Sequence, residues 1–208
     1  MIQNKIKGVG VALITPFDNC KVDYEALGRM VEHVIEGGVD YIVALGSTAE
    51  TATLNMEERQ QVYNYIVERT AGRVPIVVGM GSNNTQELVE QLQSFDMHDA
   101  VAILSVVAYY NKPSQEGIYR HYMAVAEASP VPVILYNVPG RTGVNMTAET
   151  TLRLAKASNK IVAVKEASGD MEQMQRIIDQ RPENFLVLSG DDGLTVELIK
   201  RGGEGVIS

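Results

Sequence analysis

Cysteine is nearly absent from the 208 residues, with Cys20 standing alone, so no intrachain disulfide can staple the fold. Histidine is almost as scarce. His33, His98 and His121 are scattered and never fall four residues apart, and the spacing that holds zinc is missing. Basic charge is short as well: 18 Lys and Arg against 26 Asp and Glu leave a net charge of −8, which repels nucleic acid and anionic lipid. No apolar stretch approaches the roughly 20 residues that cross a bilayer. The run 8–14, preceded by Lys5 and Lys7, stops at Thr15-Pro16-Phe17 with no small-residue cleavage site. It predicts a first strand rather than a signal peptide. These absences point to a cytoplasmic globular chain.

What is present is a core and a rhythm. Apolar residues make up 45% of the chain and charged ones 21%, enough to bury a sizeable interior. Apolar runs at 9–14, 41–45, 74–78, 101–104, 131–135, 161–164, 185–188 and 205–207 are continuous rather than alternating, the pattern of strands covered on both faces of a parallel sheet. Helical spacing lies between them. Tyr24, Leu27, Met30, Val31, Val34 and Ile35 form one apolar face closed by Gly37-Gly38. Asn55 with Glu57-Glu58 starts a helix reaching Thr70. Further helices are expected at 85–95, 114–128, 147–157, 171–180 and 194–201. Eight βα units predict an α/β fold, a (β/α)8 TIM barrel, in a single domain 1–208. A doubly wound sheet is disfavoured because no G-x-G-x-x-G follows the first strand. The sequence stops at the eighth strand, so the expectation is a barrel incomplete at its C-terminus, lacking the closing helix and exposing an apolar flank.

Barrel chemistry sits at the carboxyl ends of the strands. Lys165 closes the apolar run 161–164, where desolvation would lower its pKa and free the amine to attack a carbonyl. The alternatives are a salt bridge to Glu166 or a stem snorkelling to the rim. Tyr110 and Tyr136, at the ends of the fourth and fifth strands, could relay protons to such a lysine or be core rings with wet hydroxyls. Gly46-Ser47-Thr48 offers amides and hydroxyls to a small carboxylate, or caps its own loop. Arg141, in Gly140-Arg141-Thr142-Gly143, could take a second carboxylate bidentately or be a solvated surface arginine. Together these residues describe a Schiff-base lyase or aldolase needing no metal or other cofactor. The acidic Ser189-Gly190-Asp191-Asp192 turn is poor for the phosphate of pyridoxal phosphate.

Five motifs in order, Gly46-Ser47-Thr48-Ala49-Glu50, Tyr109-Tyr110-Asn111-Lys112-Pro113, Tyr136-Asn137-Val138-Pro139-Gly140-Arg141-Thr142-Gly143, Lys165-Glu166-Ala167 and Ser189-Gly190-Asp191, resemble the dihydrodipicolinate synthase family of class I Schiff-base aldolases. The resemblance implies condensation of pyruvate with aspartate 4-semialdehyde in the diaminopimelate route to lysine. It implies that Lys165 forms the imine, that Tyr136 is the general acid/base, and that Thr48, with Ser47 beside it, links Tyr136 to a Tyr110 arriving from a neighbouring subunit of a dimer or tetramer. Ser47, Thr48, Gly190 and the backbone at Ile207 would bind pyruvate, and Arg141 the semialdehyde. Asn83, Glu87 and Tyr109 match part of the family's lysine-binding site, whereas Met56 and Arg59 stand where lysine-sensitive members carry histidine. Ala49 replaces a common glycine, a strained exchange if that position requires positive φ. The competing readings are an N-acetylneuraminate-lyase-like pyruvate aldolase, which lacks the use for Gly140-Arg141-Thr142, and a non-catalytic fragment.

Overall fold

The computed structural model describes residues 2–208. Among them, eight parallel strands close into a barrel: β1 (Gly8–Ala12), β4 (Tyr41–Ala44), β5 (Ile76–Gly79), β6 (Ala100–Val106), β7 (Val133–Asn137), β8 (Ile161–Glu166), β9 (Leu186–Ser189) and β10 (Gly205–Ile207). Closure comes from β1, which pairs with β4 on one side and β10 on the other. This is a (β/α)8 TIM barrel.

Strand alternation sorts the side chains into two layers. Tyr41, Val43, Val77, Leu104, Ile134, Tyr136 and Leu188 fill the interior, joined from below by Ile6, while Ile42, Val78, Ile103, Leu135, Val164 and Val187 face the helices. Because both faces are buried, the strands read as unbroken apolar runs. Gly10 has a packing reason: a Cβ there would fall within the envelope of the fully buried Tyr41 ring.

The helices begin where short polar residues satisfy the free amides. Asp23 caps α1 (Tyr24–Glu36), and Asn55 with Glu58 forms a reciprocal capping box on α2 (Met56–Thr70). Asn84, Ser114, Thr147 and Asp170 cap α3 (Thr85–Ser94), α4 (Gln115–Ala128), α6 (Ala148–Ala157) and α7 (Met171–Gln180). A short helix and a small hairpin were not expected from the sequence. A one-turn helix, α5 (Pro139–Thr142), follows β7, and an antiparallel pair, β2 (Phe17–Asp18) and β3 (Lys21–Val22), turns at Asn19 and Cys20, both at positive φ. Cysteine gives no signal for that conformation.

The predicted run 9–14 is shorter as a strand because Ile14 emerges to 44% exposure before Pro16. Strand β8 is longer than its apolar run and takes in Lys165 and Glu166. Val9 of β1 is exposed, as are Val196 and Ile199 of α8 (Thr195–Lys200).

Candidate active site

Lys165 and Tyr136 are register partners on adjacent strands β8 and β7. Both point into the barrel mouth, 6% and 7% exposed, and the Lys165 Nζ lies 4.5 Å from the Tyr136 ring centroid. Burial lowers the lysine pKa from 10.5 to about 8, helped by the Arg141 guanidinium and opposed by Asp192. About a tenth of the amine is therefore free at pH 7, far more than an ordinary lysine offers. Burial raises the Tyr136 phenol, with Arg141 pulling it back, so the tyrosine stays protonated and able to donate.

Both ordinary readings of Lys165 fail on geometry. It does not snorkel, since its side chain is buried. It does not pair with Glu166, because consecutive strand residues face opposite sides and the Glu166 carboxylate accepts instead from Asn137 Nδ2 (3.0 Å), the Ser168 amide (2.9 Å) and Gln173 Nε2 (3.1 Å). These polar partners were missed from the sequence. Alternation held the signal: the residues after inward Tyr136 and Lys165 must turn outward into an apolar layer, where they need hydrogen bonds.

Gly190 seats the lysine stem. A Cβ there would lie 2.8 Å from Lys165 Cε and 2.9 Å from Ala167 Cβ, and at least one must move. Gly190→Ala is expected to lower stability by about 1–3 kcal/mol through overpacking and to slow imine formation by about 10²-fold through displacement of the amine. Thermal melts and borohydride trapping, run on the same sample, check both parts; unchanged trapping would mean the stem has another seat.

After β4 the chain forms a 3-10 turn, Ser47–Ala49. Ala49 is buried within it, and the positive φ falls on Glu50 (φ 54) instead, so the alanine carries no backbone strain. The loop is tied by Thr51, whose hydroxyl reaches the carbonyls of Leu45 and Gly46 at 2.8 and 2.9 Å. Ser47 and Thr48 are both exposed at the mouth. A cavity of about 290 Å³ opens there, its wall including Ser47, Tyr109, Tyr136, Val138 and Arg141. Thr48, Lys165, Gly190 and Ile207 are not in that wall, and Tyr136 is the residue that the cavity and the lysine share. Ile207 is buried in the barrel interior opposite Gly10.

Tyr110 corrects the reading made from residue order. It is 84% exposed, adopts φ 67, and is pinned by its amide to the Thr142 carbonyl at 3.2 Å. Strand β6 ends at Val106, so the alternation that would have turned Tyr110 inward no longer applies, and Tyr109 faces the cavity instead. Within one chain Tyr110 is not beside Lys165. Nearby, the Asn83 carbonyl accepts from Asn111 Nδ2 (3.0 Å), and Glu87 accepts from Ser82 Oγ (2.9 Å). Arg59 Nε is held by the carbonyls of Thr51 and Leu54.

The sequence profile of the Dihydrodipicolinate synthetase family matches residues 5–208. The chain belongs to that family. It is 57% identical to the 4-hydroxy-tetrahydrodipicolinate synthase of Phocaeicola vulgatus over 209 residues, covering 100% of this chain and 70% of the relative. A dihydrodipicolinate synthase from Acinetobacter baumannii, solved in complex with pyruvate, superposes with a TM-score of 0.93 at 45% identity, covering 98% of this chain and 70% of the other. One from Cyanidioschyzon merolae with lysine bound gives 0.94 at 42% identity over 99% and 70%. The dihydrodipicolinate synthetase relatives are named as synthases, and this member is an enzyme of the class I aldolase type, a lyase. Among the described residues no helix is long and apolar enough to cross a membrane.

Proposed function

We propose that the chain condenses pyruvate with L-aspartate 4-semialdehyde to give 4-hydroxy-tetrahydrodipicolinate and water, in the diaminopimelate route to lysine in the cytoplasm. The observation that carries this reading is the Lys165 amine, buried, lowered to about 8 and resting on the Tyr136 ring. Its lone pair attacks the keto carbon of pyruvate. Loss of water leaves the imine, and loss of a methyl proton converts this to an enamine whose carbon attacks the semialdehyde's carbonyl. The semialdehyde's own amine then attacks the imine carbon, closing the ring and releasing Lys165.

Tyr136 moves protons at the carbinolamine and the new alkoxide, because its phenol is held protonated and its ring lies 4.5 Å from the nitrogen. Ser47, Thr48 and the backbone near Gly190 and Ile207 hold the pyruvate carboxylate. Tyr110 extends outward to a second copy, where it completes the proton relay through Thr48; this reading makes the working form an oligomer. The Asn83, Glu87 and Tyr109 cluster is the matching candidate for a lysine effector, and the lysine-bound relative supports it. Sodium borohydride added with pyruvate should reduce the imine to a stable adduct, which peptide mapping assigns to Lys165. A chain that gives no adduct is a non-catalytic piece.

Arg141 distinguishes this substrate pair from a neuraminate-lyase-like aldolase. Its guanidinium lines the cavity and acts electrostatically on both Lys165 and Tyr136, which suits a short second carboxylate. Arg141→Ala should spare trapping with pyruvate yet cost about 1.5–3 kcal/mol in kcat/KM for the semialdehyde, the range for a hydrogen bond to a charged group. Arg141→Lys should recover only part, since a point charge does not reproduce the planar fork. A second-substrate KM unaffected by Arg141→Ala would favour the aldolase alternative.

A further inference from the structure

Behind the reactive pair lies a buried polar network that none of the roles above uses. Glu166 and Asn137 are both 0% exposed. The Glu166 carboxylate accepts from Asn137 Nδ2 at 3.0 and 3.3 Å, from the Ser168 amide at 2.9 Å and from Gln173 Nε2 at 3.1 Å. Its neighbours cannot turn round. Asn137 Oδ1 accepts from the Met146 amide at 3.0 Å while Nδ2 reaches Asn145 Oδ1 at 2.7 Å. Gln173 Oε1 accepts from Asn145 Nδ2 at 2.8 Å while Nε2 also reaches the Met146 carbonyl at 3.2 Å. Asn137, Gln173 and the Ser168 amide therefore present N–H, and a group accepting at both oxygens satisfies them.

A buried carboxylate held by uncharged donors is a costly arrangement, and burial pushes its pKa up against the hydrogen bonds from Ser168, Gln173 and Asn137. Its position gives it a use. Asn137 and Glu166 are register partners immediately beside Tyr136 and Lys165. Their backbone carbonyls accept from the amides of Ala167 (2.9 Å) and Gly190 (2.8 Å); the Lys165 stem packs on Gly190, with Ala167 on the same side of that glycine. We propose that Glu166, locked by Asn137, Asn145 and Gln173, is a positioning residue that clamps β7 to β8 and holds the Lys165 stem on Gly190 with its amine at the Tyr136 ring, out of water. The purpose assigned to the clamp rests on Lys165 being the reactive amine.

In Glu166→Gln one carboxylate oxygen becomes an NH2 group facing other N–H donors, and the strand ends loosen. Two effects on the Lys165 amine then oppose each other. Loss of a buried negative charge alone would lower its pKa, because the ammonium loses a favourable field. Release of the stem into water raises it. The groups that face the amine from other elements, Arg141 on α5, Asp192 after β9 and the Tyr136 phenol on β7, are unchanged in the variant, so the sign of the shift separates the two effects.

The midpoint is read without substrate, by competitive acetylation with acetic anhydride across pH and mass-spectrometric quantification of the Lys165 peptide. The unaltered chain should titrate at about 8. Glu166→Gln should move the midpoint upward by about one unit, toward the solvent value. Gln173→Met, at a half-buried position on α7, should move it the same way by less, and decides the matter if Glu166→Gln does not fold. A midpoint that stays or falls in the folded variants overturns the assignment. Borohydride trapping runs alongside: an amine titrating near 8 that traps no pyruvate removes the Schiff-base reading, while the midpoints still decide whether Glu166 positions the amine.

Discussion

Replacing Lys165 with alanine is expected to abolish the borohydride-reduced pyruvate adduct while leaving the barrel folded. The chemical half follows from deleting the buried amine. The folding half follows from two opposed costs. A pKa lowered from 10.5 to about 8 means the folded state disfavours the ammonium by on the order of 3 kcal/mol near neutral pH. Since the folded pKa is the lower one, the unfolded chain holds the extra proton between about pH 8 and 10.5, so this penalty is present below about 8 and fades as pH rises through that window. Alanine removes the penalty but leaves a cavity, which costs about 2–5 kcal/mol for a side chain of this size. The two largely offset each other. In the unaltered chain at limiting pyruvate, the trapping rate should climb with pH and level off above about 8, in step with the free amine. An adduct forming at the parental rate in Lys165→Ala, or a parental midpoint near 10.5, would end the Schiff-base mechanism.

Tyr136→Phe should carry the next largest effect. The ring that supports the amine at 4.5 Å is retained, so pyruvate trapping persists. Only the hydroxyl is lost, and with it the group that donates and recovers protons at the carbinolamine and alkoxide. Turnover with both substrates should fall by about 10²- to 10⁴-fold, the usual scale of general acid/base catalysis, while the KM for pyruvate changes little. Steady-state rates beside single-turnover trapping check the split. Near-parental turnover would remove Tyr136 from proton transfer and leave it as a packing surface.

The barrel was legible because its signal is energetic and local. Parallel strands bury both faces, so each appears as an apolar run, and each long helix begins at a polar cap such as Asn55 or Asp170. Lys165 and Tyr136 were legible for the same reason, as polar groups ending apolar strands. Tyr110 was not, because beyond Val106 no periodicity dictates direction, and a left-handed backbone turned the ring outward. The β2–β3 hairpin was hidden by its brevity and by a positive-φ cysteine. The Glu166 clamp was half legible: alternation sends Asn137 and Glu166 outward, but their partners Asn145 and Gln173 come from distant points of the chain that only the tertiary structure brings together.

The pairing of β1 with β10 sets the order in which the molecule can be made. Gly8 meets Gly205 and Gly10 meets Ile207, so β1 pairs across a very long sequence separation and its second edge stays free until β10 is made. Such distant contacts slow folding and keep an unpaired apolar edge exposed to other nascent chains. Gly190, which seats the lysine, and Ile207 both follow Lys165 in the chain. Closing this one seam is therefore the step that turns an open sheet into the barrel whose mouth holds the lysine.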